Sequence, residues 1–125
     1  MKKLLLLSFF ITSLFAKLEW GDIFDAFDEA KEQNKKVMIM LSQRGCSGCE
    51  YMKSVVLEDK NVQKVLKKEY IAVHIDIHED SVPENLKYFA TPTFYFLDKN
   101  ETILKRLNGG QNAKDFLETL QKIKE

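Results

Sequence analysis

The chain is poor in the residues that usually staple or break small folds. Its 125 residues include two cysteines, two prolines and one tryptophan. The two cysteines, Cys46 and Cys49, are separated by only two residues. A disulfide closing so short a loop constrains the unfolded chain far less than a long-range bridge, so a purely stabilising staple would be badly placed there. Net charge is also absent. Lys plus Arg number 19 and Asp plus Glu number 19. That balance offers no basic excess for nucleic acid, and there is no acidic tail. Internal repeats, low-complexity stretches and long linkers are missing too. With an apolar fraction of 45% the chain is composed like an ordinary folded protein, and its length suits one small domain.

Long hydrophobic runs are limited to one, at the start. Met1-Lys2-Lys3 is positive, Leu4 to Phe15 is apolar apart from Ser8, Thr12 and Ser13, and Ala16 is small. This is the layout of a secretory signal peptide. The run is shorter than the roughly twenty residues a membrane-spanning helix needs. Residues 1–16 are therefore expected to be removed, leaving residues 17–125 as the folded domain; the alternative is an uncleaved anchor or a buried N-terminal helix. Lys2 and Lys3 would leave with them, so the mature chain would carry 17 basic and 19 acidic residues, a formal charge of −2. Export places the protein where disulfides persist, in the periplasm if the source is a Gram-negative bacterium.

Apolar spacing outlines the elements. Trp20, Ile23, Phe24, Phe27 and Ala30 recur at helical intervals, predicting a helix over 20–33. Val37 to Leu41 is continuously apolar, as in a strand buried on both faces. Tyr51, Met52, Val55 and Val56 restore helical spacing to about Leu57, and Val62, Val65 and Leu66 predict a second short helix ending near Glu69. Ile71, Val73, Ile75 and Ile77 alternate with other residues, which is strand periodicity. Residues 78–83 read as a loop, and Leu86 with Phe89 as a short helix. Thr93–Leu97 is β-favouring, residues 98–101 form a turn, and residues 102–107 pair back as a hairpin. Asn112, with Asp115 three residues later, opens a last helix striped by Phe116, Leu117, Leu120 and Ile123. Strands alternating with helices and ending in a hairpin imply a mixed sheet covered by helices.

The chemistry concentrates at Cys46-Ser47-Gly48-Cys49, between the first strand and a helix. A sulfur at a helix start meets unpaired N–H groups and the positive end of the dipole. Both favour the thiolate, the form that attacks disulfides. Two intervening residues put Cys49 one turn on, close enough to attack the resulting mixed disulfide. Structural zinc sites usually take four ligands. There is no second cysteine pair, and the two histidines, His74 and His78, read as surface or packed side chains. A copper(I) site on the two thiolates remains an alternative, because soft metals accept such ligands. A third reading is an interaction domain with an inert disulfide.

Thr91-Pro92-Thr93 directly precedes a β-favouring run, a place where a proline need not donate to a ladder. Together with Cys46-Ser47-Gly48-Cys49 and with Gly109-Gly110 before the last helix, this arrangement resembles the thioredoxin-like superfamily over residues 20–125. It is similar in style to small exported bacterial members, including the disulfide-reducing and Dsb-type groups. The resemblance implies an α/β fold with a central mixed β-sheet flanked by helices on both faces. It implies that Cys46 is the exposed nucleophile and Cys49 the resolving cysteine, joined as a redox-active disulfide. It also implies a cis peptide at Thr91–Pro92 beside the sulfurs, with Thr91, Pro92 and Gly109 contacting substrate. The chain departs from ordinary thioredoxins twice. Gly45 stands where they have Trp, and Met40 stands where they bury an acid. Glu50, beside Cys49, reads as a solvated helix residue.

The expected function is dithiol–disulfide exchange with protein substrates outside the cytoplasm. The family's potentials run from about −270 mV for reductants to about −120 mV for strong oxidants. The short chain, with no hydrophobic insert and no dimerisation segment, points to a monomeric reductant. No cofactor motif is present and no resident metal is expected, so electrons would come from a membrane thiol donor.

Overall fold

A computed structural model describes residues 17–124. The expected signal peptide, residues 1–16, lies outside the described residues. Four strands form one sheet in the order β2-β1-β3-β4. They are β1 Lys36–Ser42, β2 Tyr70–Asp76, β3 Thr93–Leu97 and β4 Ile103–Asn108. β1 runs parallel to β2 and antiparallel to β3, and β3 is antiparallel to β4.

The unbroken apolar run of β1 belongs in the sheet interior, and both of its faces are covered. Successive side chains alternate sides. Met38 and Met40 pack with Ala72, Phe94 and Phe96 on one face, under Phe116, Leu120, Cys49 and Met52. Val37, Ile39 and Leu41 pack with Val73, Ile75, Tyr95 and Leu97 on the other, under Ala26 and Ala30. The first face is the denser in aromatics. Phe94 and Phe116 meet at 5.2 Å between ring centroids, tilted by 57°, a favourable arrangement for aromatic pairs.

Helices cover both faces, as the sequence implies. α1 (Ile23–Gln33) lies over the Val37–Leu41 side. α2 (Ser47–Tyr51), α3 (Lys60–Glu69) and α4 (Ala113–Lys122) contribute to the other. Their ends are set by local polar chemistry. Asp22 accepts from Phe24 N at 2.8 Å, Asp59 from Asn61 N and Val62 N at 3.0 Å each, and Asn112 from Asp115 N at 2.8 Å. α1 stops at Asn34, which takes the left-handed conformation (φ 53°).

Three local expectations are revised. α1 starts at Ile23 rather than Trp20, because Gly21 N donates to Ala72 O at 2.7 Å and draws residues 20–22 along the edge of β2. α2 does not run on as α-helix to Leu57. It passes into a π-helical turn, Met52–Val56, closed by Leu57 N donating to Met52 O at 2.8 Å. No helix forms around Leu86 and Phe89. Leu86 is buried but Phe89 is exposed, and the Lys87 carbonyl accepts from the Tyr95 hydroxyl at 2.6 Å instead of from a following helical N–H. Among the described residues, no helix is long and apolar enough to cross a membrane.

Candidate active site

The site is built where β1 gives way to α2. Gly45 makes the turn with φ +77°, a conformation that side chains with a Cβ rarely adopt. Cys46 follows in an extended conformation as the N-cap of α2. Its sulfur accepts from the backbone N–H of Cys49 at 3.1 Å. The two cysteines are joined as a disulfide, with Cα atoms 5.2 Å apart, inside the usual range for such bonds. Cys46 is partly exposed and Cys49 fully buried. Glu50 is exposed, as a solvated helix residue should be.

The other residues singled out by the sequence come together around this turn. The Thr91–Pro92 peptide is cis. Pro92 is pressed onto Gly48, where a Cβ would lie 3.2 Å from the Pro92 ring. The small residue between the cysteines lets the proline loop approach this closely. Gly109, with φ +87°, donates its N–H to Pro92 O at 2.8 Å. Gly110 passes close to Met52, with room for a Cβ only 3.3 Å from its sulfur. Met40 is buried on the same face as Cys49, so this site has no carboxylate beneath it at that position.

Polar residues that carry no sequence signature complete the surroundings. The amide of Gln43 donates to the Thr91 hydroxyl at 2.9 Å, and its carbonyl oxygen pairs with His78 Nε2 at 2.9 Å. Buried Ser42 is hydrogen-bonded to His74 Nε2, and the His74 ring lies 5.5 Å from that of Trp20. His74 follows Tyr70 and Ala72 at alternate positions of β2, and Ser42 follows Met38 and Met40 on β1. Strand alternation therefore places this pair on the Cys49 side of the sheet. Both histidines are thus held by side-chain amide or hydroxyl groups. Among the described residues there is no cluster of three or more His, Cys, Asp or Glu able to hold a metal ion.

Burial lowers the pKa of His74, with Lys53 adding to the effect and Asp76 and Asp80 opposing it. Asp76 is itself held low by backbone N–H bonds from His78 and Glu79. The depressed His74 value means the unfolded chain binds its proton first as pH falls. Stability from this group is complete above the free value of about 6.5 and is lost as pH drops from there through the folded value. The urea midpoint should therefore fall between pH 7 and pH 5, and His74→Phe should flatten that part of the profile. An equally steep profile in the variant would contradict the assignment.

Comparison with known proteins agrees with this geometry. A profile of the thioredoxin-like domain matches residues 23–124. No curated protein sequence matches the chain. Among solved structures, a thioredoxin from Thermus thermophilus superposes with a TM-score of 0.73 at 24% identity, covering 86% of this chain and 87% of that one. DsbH oxidoreductase gives 0.69 at 18% identity, covering 87% and 88%. The periplasmic thioredoxin SoxS from Paracoccus pantotrophus gives 0.56 at 17% identity, covering 70% and 94%. Such low identities speak to the fold, whereas the profile takes in the sheet, its helices and the C-x-x-C turn. The chain belongs to the thioredoxin-like domain family and, with Cys46 and Cys49 in a C-x-x-C disulfide, is a thiol–disulfide oxidoreductase.

Proposed function

We propose that the protein is an exported dithiol reductant of protein disulfides, with Cys46 as nucleophile and Cys49 as resolving cysteine. The observation that carries the assignment of the two cysteines is the asymmetry of the pair: Cys46 caps α2 and is partly exposed, while Cys49 is buried one turn behind it. In the reduced protein the Cys46 thiolate attacks a substrate disulfide, forming a mixed disulfide and releasing one substrate thiolate. Cys49, as thiolate, then attacks Cys46 Sγ. The second substrate sulfur leaves, and two electrons have passed from the enzyme dithiol to the substrate. Pro92 packs on Gly48 between the cysteines, Thr91 precedes it and Gly109 is hydrogen-bonded to it, and these three form the surface against which a substrate segment docks.

Export is supported by the Lys2-Lys3 start, the apolar run and Ala16, with the mature domain beginning near Lys17. The oxidised enzyme needs an external dithiol to reset it, and a membrane thiol donor on the outer side of the cytoplasmic membrane meets that need. The domain acts as a monomer.

Cys49→Ser keeps the nucleophile and removes the exit. Reductant-sensitive covalent adducts with envelope proteins should accumulate on non-reducing gels, and Cys46→Ser should give almost none. The Cys46–Cys49 couple, equilibrated with glutathione, should have a potential nearer about −270 mV than about −120 mV. A value at the oxidising end would reverse the proposed direction. If neither variant traps a partner and the reduced protein binds one copper(I) ion, the thiolate metal module replaces this reading.

A further inference from the structure

We infer that Gln43 is a positioning residue that fixes Thr91, and with it the substrate-docking loop, relative to the nucleophile; this rests on the docking role proposed above for Thr91. The segment from Ile77 to Pro92 belongs to no strand or helix; Ile77 N donates to Ser42 O at 2.9 Å at its start, and beyond that the loop lacks ladder bonds to β1. Its end near the site is held by a few discrete contacts. Thr93 Oγ1 donates to Ala90 O at 2.7 Å, and Gly109 N donates to Pro92 O at 2.8 Å. Both are made with residues downstream of Pro92; Pro92 itself packs on Gly48 and Thr93 pairs with Leu41 of β1, but neither of these contacts holds the Thr91 side chain. The Gln43 amide bond to Thr91 Oγ1 is different, because Gln43 lies three residues before Cys46 on the same turn. It ties the docking loop directly to the segment that carries the nucleophile.

The amide has a defined orientation. His78 Nε2 faces Gln43 Oε1, so the imidazole donates and the amide nitrogen is left to donate to Thr91. His78 is anchored in turn by its own backbone N–H, which donates to Asp76 Oδ1 at 2.9 Å. The segment following β1 and the two ends of the β2–β3 connection are joined in this way at one end of the sheet. The hydroxyl of Thr91, accepting from Gln43, keeps its proton for a further acceptor. A small dithiol does not need the docking loop, whereas a protein disulfide does. Gln43 therefore governs the productive binding of protein substrates without governing the reactivity of Cys46.

The test uses the full mature chain, with insulin as protein disulfide and dithiothreitol as donor. Gln43→Ala should raise KM for insulin about threefold to tenfold, the range of one lost hydrogen bond, with kcat changed less than twofold. Thr91→Val should do the same. The double variant should be no worse than either alone, because both remove one contact. His78→Ala should give a smaller rise. Oxidation of dithiothreitol by the Cys46–Cys49 disulfide, and alkylation of Cys46, should keep their wild-type rates in Gln43→Ala. An unchanged KM in Gln43→Ala, additive effects in the double variant, or equal loss toward dithiothreitol would each overturn the inference. If Gln43→Ala does not fold by circular dichroism, Thr91→Val and His78→Ala carry the same comparison. Wild-type protein that leaves insulin intact would instead sink the proposed function.

Discussion

The site depends on one constraint: the chain must leave β1 and start α2 so that one sulfur lies at the helix entrance and the other within its first turn. The N–H of Cys49 directed at Cys46 Sγ is the local expression of that constraint. Gly45 permits the turn, and Gly48 leaves space for Pro92 to close over it. β1 supplies the rigidity. It has a strand on each side, and its two faces are buried under helices, so the position of its end is determined by the whole core. A site that needs its sulfurs placed to a few tenths of an ångström is served better by such a strand than by a loop.

The electrostatic surroundings follow from the same packing. Met40 fills its position with apolar volume, and Met52, Phe94 and Phe116 close the face around Cys49. In the exchange proposed above, burial in such surroundings would disfavour a thiolate at Cys49, and the helix entrance would favour one at Cys46. On that proposal the asymmetry needed for ordered exchange would arise from position alone. The polar pair on this face, Ser42 with His74, lies at the ends of β1 and β2, and burial keeps the imidazole neutral over a wider pH range than a free histidine.

Much of this was legible in the residues. The unbroken run Val37–Leu41 announced a doubly covered strand, the alternation at 71–77 a strand, and Asn112 with Asp115 a helix start, because burial and capping leave periodic marks. Cys46, Cys49, Thr91, Pro92 and Gly109 were visible as motifs, and the structure gathers all five around one turn. What escaped was non-local. Trp20 fits the helical stripe, but Gly21 is claimed by the edge of β2. Leu86 and Phe89 have helical spacing, but only Leu86 finds a core to enter. Gln43 and His78 lie 35 residues apart in sequence and pair only because parallel strands end side by side. Ordinary polar residues of this kind have no spacing rule by which to be found.

The claim that position at the start of α2 makes Cys46 the nucleophile is tested most directly by the pH dependence of alkylation in the reduced protein, with each modified cysteine identified by peptide mass. Cys46 should react with a midpoint clearly below the free-thiol value of about 8.5, while Cys49 should resist until the protein unfolds. Equal reaction of both cysteines, with a midpoint at the free value, would contradict it.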